Sequence, residues 1–385
     1  MFKKISLMLL ILCLILAGCA VTGTKSTIPA EKQVSTGSAR IQAGQQENDG
    51  TDNDNVNKAG SEDPTQSKKD QSPSSLSDQK ETVEQDAVIN EGSSDSKKGK
   101  GGQVELLITR DFGQQVILHE LVTLDSGWTI MDLLQAKCDV KTRYGGGFID
   151  SINQLKSSTG GLKGEMQDWF YYVNGICPDV GGLDYSLGAG EMVWWDYHPW
   201  QAGSSNSAVI GSYPEPFLSG YQGGVRPTTI VCPAEIMESG QRLAESLKTQ
   251  GVSEVKVVEL KEAVLNKRNG PTLVLGEWES LEGIEYLKEL NQSYQRNGMS
   301  FHFQDRQIQL LNFQGKVVES LEGSAGVIGA TASVLGDPCP LWLVSGSDRS
   351  GFEQALELMI KDPGDLTGKY NLAISGEKIK VLPVK

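Results

Sequence analysis

The sequence predicts an α+β protein in which a long polar segment is followed by a sheet-rich domain and then by an α/β domain. Three observations predict this architecture. No aromatic residue occurs between Phe2 and Phe112. From residue 102 onward, short apolar runs with strand-like alternation are separated by glycine-containing turns. After Pro227, strand-like and helix-like segments alternate, which is typical of a sheet covered by helices.

Residues 1–18 have the organisation of an export signal. Lys3 and Lys4 form a positive start, and residues 5–16 form an apolar run that is too short to persist as a transmembrane helix. The motif L-A-G-C at residues 16–19 resembles the lipobox of bacterial lipoproteins. The resemblance implies cleavage before Cys19 and acylation of its thiol, which would anchor the chain to the cell membrane on its extracytoplasmic face. An ordinary cleaved signal is the alternative.

Residues 19–101 are predicted to form a disordered tether. They are rich in Ser, Gln, Asn, Asp, Lys and Gly, and such a segment cannot bury enough apolar area to offset the entropy lost on ordering. A coil of about 80 residues spans on the order of 50 Å. We therefore expect this segment to act as a spacer between the membrane and the folded part of the chain.

The composition and the motifs argue against several classes of protein. The net charge is −14 and the pI is about 4.8, whereas a nucleic-acid-binding protein normally presents a basic face. The histidines His119, His198 and His302 lie far apart in the sequence, and neither GxSxG nor HExxH occurs. We therefore expect no nucleic-acid partner, no metal, no resident cofactor and no enzymatic activity. An exported hydrolase is the enzymatic alternative.

Four cysteines remain after the predicted processing, namely Cys138, Cys177, Cys232 and Cys339. An exported protein is in a compartment that permits disulfides, and the simplest of the three connectivities pairs Cys138 with Cys177 and Cys232 with Cys339. Four free thiols are the alternative, and the spacing does not decide between the two. No CxxC motif or Cys/His cluster has the spacing of a metal site.

Residues 102–200 are predicted to form the first domain. Strands are expected over residues 104–110, 115–124, 148–152, 167–173 and 191–198. A helix is expected over residues 129–137, because apolar residues follow one another there at helical spacing. The order β-β-α-β-β-β is the order that a β-grasp (ubiquitin-like) sheet requires.

Residues 201–226 are predicted to be a loop-rich linker, because they contain Pro214, Pro216 and several glycines. Residues 227–385 are then predicted to form an α/β domain with a parallel or mixed sheet. Its expected strands cover residues 228–232, 255–260, 271–276, 308–312 and 341–345, and its expected helices cover residues 233–250, 281–297 and 352–360.

The last two strands of the first domain are unusually rich in aromatic residues on both faces. Successive side chains of a strand point to opposite faces, so only one face of this hairpin can be core. The other face is expected to expose rings that bind a planar ligand, a sugar or a partner. The alternative is that the loop over residues 177–188 and the segment at Trp200 cover this face. The predicted ligand-binding residues are Trp169, Tyr171, Tyr172, Asn174, Trp194, Trp195 and Tyr197.

Two motifs in these strands resemble a known family. They are D-W-F-Y-Y-V-N-G at residues 168–175 and D-Y-S-L-G-A-G-E-M-V-W-W-D-Y at residues 184–197. Both are similar to motifs of the transcobalamin-like C-terminal domain of bacterial surface proteins, with Glu191 where that family usually has Asp. The resemblance covers residues 103–200 and implies a β-grasp fold. In vitamin B12 carriers, a related β-domain covers one face of a corrinoid that is bound against an α/α-barrel.

The sequence contains no such barrel, so the resemblance implies that another protein supplies the second half of a corrinoid site. We expect a surface-anchored ligand-binding lipoprotein that delivers a corrinoid or similar vitamin-type cofactor to a membrane importer. The alternative is a cell-wall or S-layer-associated adhesion lipoprotein. Residues 343–351 have a weak similarity to strand-turn-helix segments of S-layer-type proteins, although Ser347 or Asp348 acting as a helix cap explains the same pattern.

Overall fold

The computed structural model describes residues 102–161, 164–201 and 206–385. The predicted signal peptide, Cys19 and the tether lie outside the described residues. Over the described residues the chain is mixed α/β, with several sheets and more strand than helix, which confirms the coarse fold class. The described residues all belong to one compact unit of the chain.

The described residues form strands and α-helices with the following bounds. The strands are β1 (Gln103–Arg110), β2 (Gln115–Thr123), β3 (Val140–Arg143), β4 (Phe148–Ile152), β5 (Leu155–Lys156), β6 (Met166–Val173), β7 (Met192–Trp200), β8 (Thr228–Cys232), β9 (Val255–Glu259), β10 (Thr272–Glu277), β11 (Phe301–Gln304), β12 (Gln307–Leu311), β13 (Val317–Leu321), β14 (Gly326–Thr331), β15 (Leu341–Gly346), β16 (Asn371–Ser375) and β17 (Lys378–Leu382). The helices are α1 (Ile130–Lys137), α2 (Met237–Thr249), α3 (Glu262–Asn266), α4 (Trp278–Leu281), α5 (Glu285–Gln292) and α6 (Arg349–Lys361).

The first sheet has four strands in the order β2-β1-β7-β6. Strands β1 and β7 are parallel, and the other two pairings are antiparallel. Helix α1 begins where the sequence predicts it, because Thr129 accepts a hydrogen bond from the Asp132 amide and Asp132 reciprocates, which forms a capping box. Its apolar side packs on one face of the sheet, where Leu133 and Leu134 are buried with Leu106.

The second sheet has seven strands in the order β17-β16-β14-β15-β10-β8-β9. Strands β15, β10, β8 and β9 are mutually parallel, and the strands on the other side pair antiparallel, so the sheet is mixed as predicted. Helices α2 and α6 cover one face. The other face is covered by a second apolar cluster that includes residues of α4, α5 and the small sheet β11-β12-β13.

Several parts of this half of the chain differ from the prediction. Strands β14, β16 and β17 belong to the second sheet but were not among the expected strands. The single helix expected over residues 281–297 is replaced by α4 and α5, and the chain turns after Gln292. The glycines of β14 lie in a buried strand where neighbouring groups approach closely. A Cβ at Gly329 would lie 2.7 Å from the Phe301 ring, and one at Gly326 would lie 2.2 Å from the Gly351 carbonyl oxygen.

The segment predicted to be a linker is packed between the two sheets over its described residues. It has no regular strand or helix, yet Val209, Ile210 and Phe217 are fully buried. The Gly368 amide donates to the Gly211 carbonyl, and a Cβ at Gly211 would lie 2.7 Å from the Trp194 ring. The segment therefore joins the first sheet to residues that precede β16.

Candidate functional site

The structure brings the seven predicted ligand-binding residues together at one hairpin. Strands β6 and β7 pair antiparallel, so that Trp169 faces Tyr197, Tyr171 faces Trp195, and Tyr172 faces Trp194. Asn174 lies in the tight turn after β6 with a positive φ, as the Asn-Gly pair predicts. The prediction that these residues lie close together is therefore confirmed. Whether they can contact a ligand depends on how far their side chains are exposed.

One face of the hairpin is core. Trp195 stacks on Tyr171 with 4.8 Å between ring centroids, and Trp169 lies 5.2 Å from Tyr197. All four rings pack in the cluster beneath α1. Three of the four rings also bond the backbone, since Trp169 Nε1 donates to the Leu155 carbonyl at 3.1 Å and the hydroxyls of Tyr171 and Tyr197 donate to other carbonyls. Trp195 Nε1 is buried without a partner among the described residues. This face leaves no ring free for stacking.

The opposite face is also covered, so the prediction of an exposed aromatic face is wrong. Tyr370, which precedes β16, lies edge-on to Trp194 at 5.1 Å and to Tyr172 at 5.4 Å. Trp194 and Tyr370 have no exposed surface. Asn174 is buried too, and its side chain bonds the Gly220 carbonyl and the Met192 amide. Tyr370, Val209 and Phe112 provide the cover, together with Cys177 at the start of the loop over residues 177–188.

A buried polar network lies at the same junction, around Asp196. Its carboxylate accepts hydrogen bonds from the Phe112 and Gly113 amides, each at 2.9 Å, and from the Thr109 hydroxyl. The His198 Nδ1 atom lies 2.8 Å from the same carboxylate. The His198 ring lies 4.3 Å from the Phe112 ring and equally close to the Phe170 ring. The hydrogen bonds of Asp196 stabilise the junction. Because Asp196 and His198 are buried, a substrate cannot reach either side chain.

All four described cysteines are free thiols, so neither predicted disulfide is formed. Cys138 packs with the cluster beneath α1, whereas Cys177 packs with the cluster on the opposite face of the first sheet. The sheet thus separates the two sulfur atoms. Cys232 is buried beside Met237, and Cys339 lies in the loop before β15. Burial raises the pKa of the Cys177 thiol to about 12.

Exposed apolar side chains occur elsewhere in residues 102–200, on and beside the turn that joins β3 and β4. We define the hairpin patch as Tyr144, Phe148 and Leu183. These side chains are 87%, 37% and 44% exposed. Leu183 lies against the turn, because a Cβ at Gly146 would come within 2.8 Å of its Cδ1 atom. The sequence signal for this patch is a run of three glycines flanked by two aromatic residues.

The backbone of the hairpin patch is strained where the aromatic ring is most exposed. Tyr144 has a φ of 53°, a left-handed conformation that costs a bulky residue of the order of 1–3 kcal/mol. Gly145 and Gly146 also have positive φ, so the turn requires glycine there. Arg143 and Asp150 form an ion pair across the two strands. A large ring is therefore held in water on a turn of defined shape.

Two features of the described residues bear on the sequence expectations. Within residues 102–161, 164–201 and 206–385, no group of three or more His, Cys, Asp or Glu side chains could hold a metal ion. Over the same part of the chain, no helix has the length and apolarity needed to cross a membrane.

Part of the chain, which includes the patch and strands β6 and β7, is similar to a known family. Residues 127–199 match a family described as "Domain of unknown function (DUF4430)". Among solved structures, one similar chain is described as "a putative metal binding protein from Ruminococcus gnavus ATCC 29149". It has 12% sequence identity and a TM-score of 0.21, and the match covers 26% of this chain and 99% of that chain. No curated protein matches the sequence.

Proposed function

We propose that this chain is a lipid-anchored, ligand-binding protein of the extracytoplasmic membrane face, without enzymatic activity or a resident cofactor. The hairpin patch is the single observation that carries the binding proposal. It exposes an aromatic ring and two further apolar side chains on a turn whose geometry depends on glycines. Exposed apolar groups that lie together mark binding surfaces more often than isolated ones do.

Residues 102–200 are proposed to be a β-grasp domain of the transcobalamin-like type. The strand order β2-β1-β7-β6, the parallel central pair and the single helix on one face support this assignment. The matched family covers α1 and strands β3 to β7. In this proposal the ligand contacts the hairpin patch rather than β6 and β7, because the predicted rings are buried or, for Tyr171, partly buried and stacked on Trp195.

A corrinoid is the leading ligand for this surface. The side chains of the hairpin patch are exposed to solvent, so the patch alone would cover one side of a ligand. The other side would be held by a separate protein, either an α/α-barrel carrier or a membrane importer that receives the vitamin. A flat macrocycle suits an exposed phenol ring, because offset stacking of flat rings is favourable.

Replacing Tyr144 by asparagine should weaken ligand binding and leave the fold intact. Asparagine tolerates the left-handed conformation, so the change removes the ring without adding backbone strain. We expect cobalamin affinity, measured by absorbance titration of the purified protein, to fall roughly tenfold or more, as for an interface anchor. The matched control is Leu121→Ala, an exposed apolar residue of β2 outside the patch, which should leave affinity unchanged.

The same titration can contradict the proposal in two ways. If the wild-type protein does not bind cobalamin, the corrinoid assignment fails. If cobalamin binds but Tyr144→Asn binds it equally well, the hairpin patch is not the site. Binding of the protein to isolated cell-wall sacculi without cobalamin binding would favour the adhesion function.

The segment with a weak similarity to S-layer-type proteins is the start of a helix. Asp348 caps α6 by accepting a hydrogen bond from the Gly351 amide, which accounts for the sequence pattern of that segment.

The anchoring proposal predicts the behaviour of Cys19→Ser. Because the thiol is the acyl acceptor, the variant should incorporate no labelled fatty acid and should leave the membrane fraction or remain unprocessed. The measurement is metabolic labelling with palmitate followed by fractionation, and Cys13→Ser serves as the control within the signal. A Cys19→Ser variant that stays acylated would disprove the anchor.

A further inference from the structure

An open cavity of about 510 Å³ lies in the second half of the chain, away from the hairpin patch. It is bounded by the end of α5, the turn that follows α5, and the loop between β14 and β15. Its volume is within the usual range for sites that hold small organic molecules. Leu290, Val334 and Leu335 form apolar lining, and Arg296, Thr331 and Ser333 contribute polar groups.

The charge in this cavity is opposite in sign to that of the whole protein. The net charge of the chain is −14, yet the charged side chain that lines the cavity is Arg296. No hydrogen bond or ion pair engages the Arg296 guanidinium among the described residues. An unpaired guanidinium presents several donors in a planar fork, which matches the two oxygens of a carboxylate, sulfonate or phosphate group.

A second arginine, Arg268, lies beside the cavity and donates four hydrogen bonds. Arg268 donates to the Tyr286 hydroxyl at 2.8 Å and to the Ser333 hydroxyl oxygen at 3.2 Å. It also donates to the carbonyls of Leu265 and Cys339, at 2.9 and 3.1 Å. Its guanidinium lies 5.4 Å above the Tyr286 ring. Arg268 thus adds positive potential to the site while it holds Tyr286 and Ser333 in place.

The loop that forms the wall is held by side-chain bonds, so the cavity exists before any ligand binds. The Ser207 hydroxyl donates to the Ala332 carbonyl and accepts from the Ala332 amide, both at 2.9 Å. The Asp337 carboxylate accepts from the Ser333 amide at 3.0 Å and from the Cys339 amide at 2.8 Å. A preformed wall lowers the entropy that binding would otherwise cost.

We propose that this cavity is a second binding site, which takes a small organic anion. The anionic group binds the Arg296 guanidinium with the Ser333 hydroxyl beside it, and an apolar or aromatic body lies over Leu290, Val334 and Leu335. The inference is independent of the hairpin patch, because none of these residues belongs to it. Neither the corrinoid assignment nor the lipid anchor is needed for it.

Two fluorescent probes with the same aromatic rings test the proposal. 1-Anilinonaphthalene-8-sulfonate carries a sulfonate, and N-phenyl-1-naphthylamine is its neutral counterpart. We expect the folded protein to bind the sulfonate at a single site and to bind it roughly 10- to 100-fold more tightly than the neutral probe, the range expected for a hydrogen-bonded charge pair. Because the site is open to solvent, added salt should weaken sulfonate binding.

The variant Arg296→Gln removes the charge from an exposed side chain and should not disturb folding. We expect it to lose the preference for the sulfonate while its affinity for the neutral probe stays the same. The control is Lys288→Gln, which removes an exposed positive charge from α5 outside the cavity and should retain the preference. Far-UV circular dichroism and the thermal midpoint verify that both variants are folded.

Three outcomes would overturn the proposal. They are equal affinity of the wild-type protein for the two probes, an unchanged preference in Arg296→Gln, and absence of sulfonate binding at millimolar probe. The variant Tyr144→Asn, which changes the hairpin patch, should bind the sulfonate as tightly as the wild type does. Loss of sulfonate binding in that variant would place the anion at the hairpin patch and would also reject the cavity site.

Discussion

Replacing Asp196 by alanine is expected to destabilise the described unit by roughly 3–5 kcal/mol, because it removes the acceptor from a buried charged network. The Phe112 and Gly113 amides and the Thr109 hydroxyl would lose their shared partner. His198, which lies between two phenyl rings, would lose the carboxylate beside its Nδ1 atom. Asp196 has no exposed surface, so its buried partners would be left without an acceptor.

The measurement is denaturant unfolding followed by tryptophan fluorescence, with the midpoint and the slope fitted separately. A lower midpoint at an unchanged slope reports a change in stability. The control is Asp125→Ala, an exposed carboxylate before α1, which should change stability by less than about 0.5 kcal/mol. If Asp196→Ala and Asp125→Ala unfold at the same midpoint, the network does not hold the junction together.

The second large effect concerns Glu215, whose side chain is buried in the segment between the two sheets. Burial raises the pKa of its carboxyl from the usual 4.5 to about 7, and the neighbouring Glu191 carboxyl also raises it. A hydrogen bond from the Ser219 amide at 2.8 Å opposes this rise only in part. Burial likewise raises the pKa of Glu191, which accepts bonds from Tyr185 and from the Gly188 amide.

This raised pKa makes the protein less stable as pH rises. Below about pH 4.5, Glu215 is protonated in both the folded and the unfolded chain. Between about pH 4.5 and 7, the unfolded chain ionises while the folded chain keeps its proton, so the free energy of unfolding falls. The total loss is roughly 3 kcal/mol, because one pKa unit corresponds to about 1.4 kcal/mol. Above pH 7 this contribution is constant.

The variant Glu215→Gln should remove this pH dependence. Glutamine keeps an oxygen that can accept from the Ser219 amide, and it has no proton to lose. We expect wild type and variant to have similar stability near pH 4.5 and the variant to be more stable at pH 8. Denaturant midpoints across this range measure the difference, with the exposed Glu254→Gln as control. Parallel pH profiles for wild type and Glu215→Gln would contradict the assignment.

Local features were predictable because they depend on residues that are close in sequence. The capping residues Thr129 and Asp132 define the start of α1, and the Asn174-Gly175 pair defines the turn after β6. The parallel strands of the second sheet were also expected, since alternation of strands and helices favours crossover connections. The glycine-rich β14 was missed, because its glycines serve close packing against Phe301, and sequence spacing does not reveal that contact.

The sequence by itself determined that β6 and β7 carry aromatic rings on both faces, since strand alternation is a local property. It did not determine which rings meet water. Tyr370 lies 172 positions after His198 and seals the second face of the hairpin through tertiary packing. Tertiary contacts also placed Cys138 and Cys177 on opposite faces of one sheet, and they left Tyr144 as the exposed ring. Burial is a property of the assembled fold, because it depends on which distant segments pack together.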